Sequence, residues 1–141
     1  MKKKVMYLQV FARLVSPLIT LLVTILSLLP SSDLAKPLSL FPFSDKIMHL
    51  IAYVGVSGTI SIALAKIEGI WTLKEYLYSN MRRIIVTFFV VFTIGFLIEI
   101  VQPLFSRSRE FLDLLFNSIG GVLGIILGLL LLFILQRRSL N

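Results

Sequence analysis

Polar residues recur at helical spacing inside otherwise apolar parts of the sequence, in types that could do acid–base or binding chemistry. Glu99 lies near the end of one apolar run, and Asp113 and Asn117 lie four residues apart at the start of the next. Side chains three or four positions apart share one face of a helix. His49, the only histidine, lies in an earlier apolar run. An imidazole, carboxylates and an amide in this pattern predict a general acid–base site or a polar binding pocket.

Two functions of different classes fit these residues. In an enzyme, His49 or Glu99 would act as general base, Asp113 would orient it, and basic residues would stabilise charge on a lipid-linked phosphate or ester. In a binding protein, the basic residues and two helix N-termini would hold an anion such as a lipid phosphate or a peptide carboxylate. The residues expected to contact a ligand are Asp45, Lys46, Tyr53, Gln102, Arg107, Arg109, Glu110 and Asn117.

Cofactor chemistry has little support in the sequence. A divalent metal ion could be held by His49, Glu99 and Asp113, but no pair of these ligands has a diagnostic spacing. The chain has no cysteine, and no glycine-rich loop of the kind that cradles phosphates. We therefore predict no cofactor and no metal.

The composition is that of an integral membrane protein. Of the 141 residues, 57% are hydrophobic and only 15% are charged, and the mean hydropathy is +0.97. Such a chain is too apolar for a soluble domain. The formal net charge is +7, and aromatic residues are not interleaved with the basic ones as in nucleic-acid platforms. We expect membrane lipids as partners and no nucleic acid, and no feature assigns an oligomeric state.

Four apolar runs predict a small all-α bundle of four transmembrane helices. We place them at about 14–29, 46–65, 84–102 and 112–135, forming one domain over about 14–135. Segments 1–13 and 136–141 are predicted to be cytoplasmic flanks. Pro17 is expected in the opening turns of the first helix, where a missing backbone donor costs least, and Pro103 is expected to end the third.

The two long connectors between the apolar runs have sequence features that predict a location at the membrane interface. The proline-rich and apolar stretch 30–44 is expected to lie along the membrane interface. In the connector 66–83, Thr72 and Glu75 have the spacing of a capping box, which predicts a short interfacial helix. Trp71, Tyr76 and Tyr78 are expected in the headgroup zone, where aromatic residues anchor membrane proteins.

The distribution of basic residues predicts the orientation, because cytoplasmic loops are enriched in lysine and arginine. In the four-helix arrangement, one side carries Lys2, Lys3, Lys4, Arg13, Lys66, Lys74, Arg82, Arg83, Arg137 and Arg138. The other side carries only Lys36, Lys46, Arg107 and Arg109. Both termini are therefore predicted to be cytoplasmic, and so strong a bias argues against dual topology and against an inverted exporter dimer.

This topology brings polar residues of three helices to one depth. His49, Glu99 and Asn117 each lie about one helical turn from the outer face. Ionisable residues within membrane spans are costly, so this coincidence predicts one shared pocket open to the outer leaflet. Glu99, at a helix C-terminus, is expected to need a cation, either His49 or an arginine, or else to hold its proton at neutral pH. Along the fourth helix, Gly120, Gly124 and Gly128 predict a packing ridge.

Two blocks of these residues resemble the VanZ-like family of membrane proteins, named after a teicoplanin resistance protein. The first block is Asp45, Lys46, His49 and Tyr53, and the second is Glu99, Gln102, Arg107, Glu110, Asp113, Asn117, Gly120 and Gly124. Phe105 and Ser106 stand where the family often has Pro-Gly.

The resemblance implies a small multi-pass protein of the bacterial cell membrane that acts in the cell envelope. Lower sensitivity to lipoglycopeptides such as teicoplanin is one expectation, although the family has no established general reaction. Our first hypothesis is that the outer pocket binds a lipid headgroup or a lipid-linked cell-wall precursor. The alternative is an intramembrane enzyme acting on a lipid-linked phosphate or ester.

Overall fold

In the part of the chain that the structure describes, the protein is a bundle of four α-helices, each antiparallel to the one before it. The computed structural model describes residues 2–29, 44–67, 72–106 and 109–138. The helices are α1 (Lys2–Leu28), α2 (Ser44–Leu64), α3 (Leu73–Val101) and α4 (Phe111–Arg137), and a 3₁₀ helix (Gln102–Phe105) follows α3. All four helices are long and apolar enough to cross a membrane. The predicted all-α, multi-pass fold is confirmed, and most of the loop predicted to lie on the interface falls outside the described residues.

Helix α1 is longer than predicted, because residues expected to form a separate flank are helical from Lys2. Val5, Gln9 and Ala12 recur on one face and are buried against the bundle. Packing on this face therefore extends the helix towards the N-terminus. As a result Pro17 lies inside the helix and not in its opening turns, so the predicted position of this proline is wrong.

Helix α3 begins much earlier than its apolar run. The predicted capping box is present: Thr72 Oγ1 accepts a hydrogen bond from the Glu75 backbone N–H at 3.2 Å, and Glu75 Oε2 accepts one from the Thr72 N–H at 3.0 Å. This box starts α3 itself, so the prediction of a separate short helix is wrong. Tyr76, expected among headgroups, is instead fully buried, with its ring 5.5 Å from that of Phe133.

Helices α2 and α4 run parallel and form the most extensive contact in the bundle. Their backbones approach closely because α4 presents glycines to α2. A Cβ atom on Gly128 would lie 2.6 Å from the Gly58 carbonyl oxygen, and one on Gly124 would overlap Ser57 Oγ and the Val54 carbonyl oxygen. Small residues of this kind allow membrane helices to pack tightly. The pairing places the N-termini of both helices at the same end of the bundle.

Candidate functional site

Polar and charged side chains gather where α2 and α4 begin and α3 ends. We call this the ionisable cluster, and its members are Lys46, His49, Glu99, Glu110, Asp113 and Asn117. All of them are buried except the half-buried Glu110. The structure thus brings together side chains from the three helices that the sequence placed at one depth.

Lys46 connects the start of α2 to the start of α4. Its ammonium group contacts the carboxylate of Glu110 and lies 3.2 Å from Asp113 Oδ1. Only 11% of the Lys46 side chain and 3% of the Asp113 side chain are exposed. Because an ammonium buried to this degree needs opposite charge, these carboxylates hold Lys46 in place.

His49 lies between Asn117 and Asp113, both on α4. Its Nδ1 is 3.0 Å from Asn117 Oδ1, and its Nε2 is 3.6 Å from Asp113 Oδ2. An amide oxygen only accepts hydrogen bonds, so Nδ1 carries the proton and donates it to Asn117. The other ring nitrogen, Nε2, faces the carboxylate of Asp113.

Glu99 is buried at the end of α3 and reaches the beginning of α4. Its Oε2 accepts a hydrogen bond from the backbone N–H of Glu110 at 3.3 Å. This carboxylate therefore satisfies a backbone donor that precedes α4 and lies beside the positive end of the helix dipole. The expectation that Glu99 needs a cation stays a prediction.

Gly95 on α3 packs closely against two buried polar atoms, and we call this place the Gly95 notch. A Cβ atom on Gly95 would lie 3.1 Å from Tyr53 Oη and 3.3 Å from Asn117 Nδ2. The relative exposures of Tyr53 and Asn117 are 1% and 2%. Neither atom has a hydrogen-bond partner among the described residues. Buried donors without partners cost free energy, so this notch is the place where a ligand could supply one.

Three other predicted site residues make contacts elsewhere or cannot be placed. Gln102 Nε2 donates to the Ser27 carbonyl oxygen at 3.2 Å, which ties the end of α3 to α1. Arg109 is exposed, and its Nη2 donates to the Ile100 carbonyl oxygen at 3.1 Å. Arg109 therefore caps the C-terminus of α3. Arg107 lies outside the described residues.

The residues that could hold a metal ion differ from the set considered in the sequence, which was His49, Glu99 and Asp113. Ligand atoms of Asp45, His49 and Asp113 all lie within 4.8 Å of one another. In this set, Asp45 is the third ligand in place of Glu99. The reason is that Asp45 lies one turn before His49 on α2, on the side facing the start of α4.

The parallel arrangement of α2 and α4 gives the acidic residues an electrostatic role. Two helix N-termini, each with a partial positive charge, meet at this end of the bundle. Asp45 lies in the first turn of α2, Asp113 lies in the first turn of α4, and Glu110 is the N-cap residue of α4. These carboxylates offset the repulsion between the two dipoles.

The other end of α2 carries a second polar group that sequence reasoning missed. We call it the capping cluster: Gln9, Arg13, Asn80 and Gln136 donate hydrogen bonds to backbone carbonyl oxygens at or just beyond the C-terminus of α2. The acceptors include Ile62, Ala63 and Ala65. The signal that could have identified it is the presence of carboxamides in apolar runs.

The fold and the site together define a multi-pass α-helical membrane protein with a buried, ionisable cluster at one end of its bundle. Comparisons with protein-family models, with curated protein sequences and with solved structures give no match. The resemblance to VanZ-like proteins therefore stays a prediction.

Proposed function

We propose that the ionisable cluster binds the polar headgroup of a membrane-embedded molecule, either a lipid or a lipid-linked cell-wall precursor. The observation that carries the proposal is the pair of buried, unpartnered atoms at the Gly95 notch, Tyr53 Oη and Asn117 Nδ2. Both are hydrogen-bond donors. The complementary ligand group is an oxygen acceptor, such as a phosphate or carbonyl oxygen.

The surroundings of the notch suit a molecule that arrives from the membrane. The helices that frame it present apolar side chains outward, including Ile47, Ile51 and Phe96. The tail of a ligand would remain in contact with these surfaces while its headgroup entered between the helices. Lys46 and the backbone N–H groups at the paired helix N-termini are further donors for the oxygen atoms of a headgroup.

The resemblance to VanZ-like proteins supports placing this activity in the bacterial cell envelope. In that setting, the basic residues favour an orientation with both termini in the cytoplasm and the cluster facing outward. Binding of a cell-wall precursor there would lower sensitivity to lipoglycopeptides such as teicoplanin, because the antibiotic and the protein would compete for the same molecule.

Retention of lipid by matched tyrosine variants tests the binding proposal. Tyr53→Phe removes the hydroxyl at the notch, whereas Tyr76→Phe removes another buried, unpartnered hydroxyl far from the cluster. In native mass spectrometry of detergent-purified protein, we expect Tyr53→Phe to retain about tenfold less co-purified ligand, as the loss of one buried hydrogen bond predicts. Equal retention by both variants would contradict the proposal.

The envelope role has its own test in cells. We expect expression of the wild-type protein to lower teicoplanin susceptibility in a strain deleted for the chromosomal copy, and Tyr53→Phe to lose this effect. The measurement is the minimal inhibitory concentration together with the pool of lipid-linked precursors. Susceptibility and precursor pools that do not change on deletion would remove the envelope role, while leaving lipid binding open to the retention assay.

The His49 geometry favours a second candidate, an enzyme that hydrolyses a lipid-linked phosphate or ester. Asn117 fixes the ring so that Nε2 can accept a proton from water, and Asp113 lies where it would stabilise the resulting imidazolium. Comparative lipidomics of cells expressing His49→Ala, Asp113→Asn or Glu99→Gln tests this. If all three leave the lipid profile the same as the wild type, the enzyme candidate fails and binding remains.

A further inference from the structure

We propose that Asp45, His49 and Asp113 form a binding site for a divalent transition-metal ion at the exposed edge of the ionisable cluster. This inference goes beyond the headgroup site, which lies at Gly95 and uses Tyr53 and Asn117 Nδ2. The ligand atoms of the three residues lie within 4.8 Å of one another. Asp45 is exposed, so an aqueous ion can reach the site, while His49 and Asp113 are buried.

The hydrogen bond on the other side of His49 prepares the ring for metal binding. Metal-binding histidines almost always donate their second ring N–H to a carbonyl or carboxylate, which fixes the tautomer and the ring orientation. Here Nδ1 donates to Asn117 Oδ1 at 3.0 Å. The second ring nitrogen, Nε2, is thereby directed at Asp113.

The distance between His49 and Asp113 fits an ion placed between them. Nε2 and Oδ2 are 3.6 Å apart, which is too long for a direct hydrogen bond. A metal ion placed between these two atoms could be bound by both of them. Ligand atoms at the usual Zn–N and Zn–O bond lengths stand roughly 3.4 Å apart at the tetrahedral angle.

Asp113 can serve an ion and Lys46 at the same time, because its oxygens face different ways. Oδ1 lies 3.2 Å from Lys46 Nζ, and Oδ2 faces His49. A metal on Oδ2 would leave the ion pair with Lys46 intact. Around the site, the carboxylates of Asp45, Glu99, Glu110 and Asp113 outnumber the cation of Lys46, which favours binding of a further cation.

The ligand set selects the class of ion. An imidazole with two carboxylates suits Zn²⁺ and similar transition metals, whereas Mg²⁺ and Ca²⁺ prefer oxygen ligands alone. Three protein ligands leave a coordination position open. The site can therefore hold Zn²⁺ and still accept a further oxygen ligand from water or from an incoming headgroup.

Zn²⁺ titration of the full-length protein tests the site. The protein is placed in phosphatidylcholine nanodiscs, stripped with EDTA and titrated with Zn²⁺ by isothermal calorimetry. We expect about one equivalent per chain, and an affinity about tenfold or more weaker in Asp45→Asn. Asp45 is the decisive position because it is exposed, so its replacement does not disturb the buried packing. Co²⁺ should give visible d–d absorption in the wild type that His49→Gln abolishes.

Glu110→Gln is the matched control, since it removes an equal charge from the same cluster without removing a proposed ligand. We expect its affinity for Zn²⁺ to stay within about threefold of wild type. The proposal is overturned if the wild type shows no saturable binding, or if Asp45→Asn binds as tightly as the wild type. It is also overturned if Glu110→Gln loses as much affinity as Asp45→Asn, which would indicate general electrostatic attraction.

Discussion

The two ends of α2 are both rich in polar side chains, but these side chains bond to different partners. At the C-terminal end, the capping cluster uses three carboxamides and the guanidinium of Arg13, and each donates to a backbone carbonyl oxygen. At the N-terminal end, Lys46, His49, Asp113 and Asn117 bond mainly to one another.

We interpret this difference as a separation between a group that stabilises the fold and the proposed binding site. The last carbonyl groups of a helix have no partners within the helix, and leaving them unsatisfied in an apolar environment is costly. The capping cluster meets this requirement with side chains that are mostly neutral. The ionisable cluster satisfies few backbone groups and instead concentrates charge, which is costly within a membrane span. We therefore expect substitutions at the two ends to affect different measurements.

The largest expected effect comes from a change in the glycine contact between α2 and α4, which supports both ends of α2. Gly124→Val would drive a side chain into the α2 backbone and Ser57, so we expect about 3 kcal/mol of destabilisation together with loss of Zn²⁺ and lipid binding. Gly55→Val is the control, because a Cβ atom there meets nothing within 4 Å. SDS titration in mixed micelles, followed by circular dichroism, measures the free energy of unfolding. Equal stability of both variants would contradict the role of the glycine ridge.

An asparagine-to-leucine substitution at each end of α2 tests the comparison directly. Asn80 is fully buried, and its Oδ1 accepts the Lys66 backbone N–H at 2.7 Å. We expect Asn80→Leu to cost about 2 kcal/mol, because it strands that backbone group, and to leave Zn²⁺ affinity unchanged. Asn117→Leu should cost less stability but weaken Zn²⁺ binding about tenfold or more, since His49 loses its orienting acceptor.

The same asparagine variants could also contradict the distinction between the two ends of α2. If Asn117→Leu destabilises the protein as much as Asn80→Leu and leaves the Zn²⁺ affinity of the folded fraction intact, then both ends are structural. The free energy of unfolding and the calorimetric affinity are measured on the same preparations, so the two contributions can be separated.

Removing the cation of the ionisable cluster should strengthen metal binding. Lys46→Gln deletes a positive charge beside Asp113, and we expect the affinity for Zn²⁺ to rise about tenfold because repulsion between the ammonium and the ion is lost. The matched change at the other end, Arg13→Gln, should leave that affinity unaltered. A weaker affinity in Lys46→Gln would indicate that Lys46 positions Asp113, and that this positioning outweighs the repulsion between the ammonium and the ion.

The smallest expected effect concerns Arg109, which the sequence suggested as a ligand contact. Because it caps the Ile100 carbonyl oxygen from an exposed position, Arg109→Gln should cost about 0.5 kcal/mol of stability. Lipid retention should not change. A fall in lipid retention similar to that of Tyr53→Phe would indicate that Arg109 contacts the ligand as well as capping α3.

The sequence was sufficient to predict the elements that bring the ionisable cluster together. Hydropathy located four spans, and the spacing of His49, Glu99 and Asn117 predicted their common depth, because an apolar background makes each polar residue conspicuous. The glycine spacing on α4 also indicated a close helix contact. In these cases one-dimensional periodicity carried the information.

Other features depended on contacts that periodicity does not encode. The early start of α1 depends on packing against the end of α2, where Gln9 donates to the Ile62 carbonyl oxygen, 53 residues away in sequence. The burial of Tyr76 depends on Phe133 of α4. Likewise, the choice of Asp45 over Glu99 beside His49 depends on the rotation of α2 against α4.

The parallel pairing of α2 and α4 has a consequence for biogenesis. During synthesis α2 is made well before α4, and the whole of α3 must follow before its glycine-lined partner exists. Until then the α2 surface at Val54 and Gly58 lacks the partner that it has in the complete bundle. The nascent protein thus completes its charged centre last, after the final helix has left the ribosome and entered the bilayer.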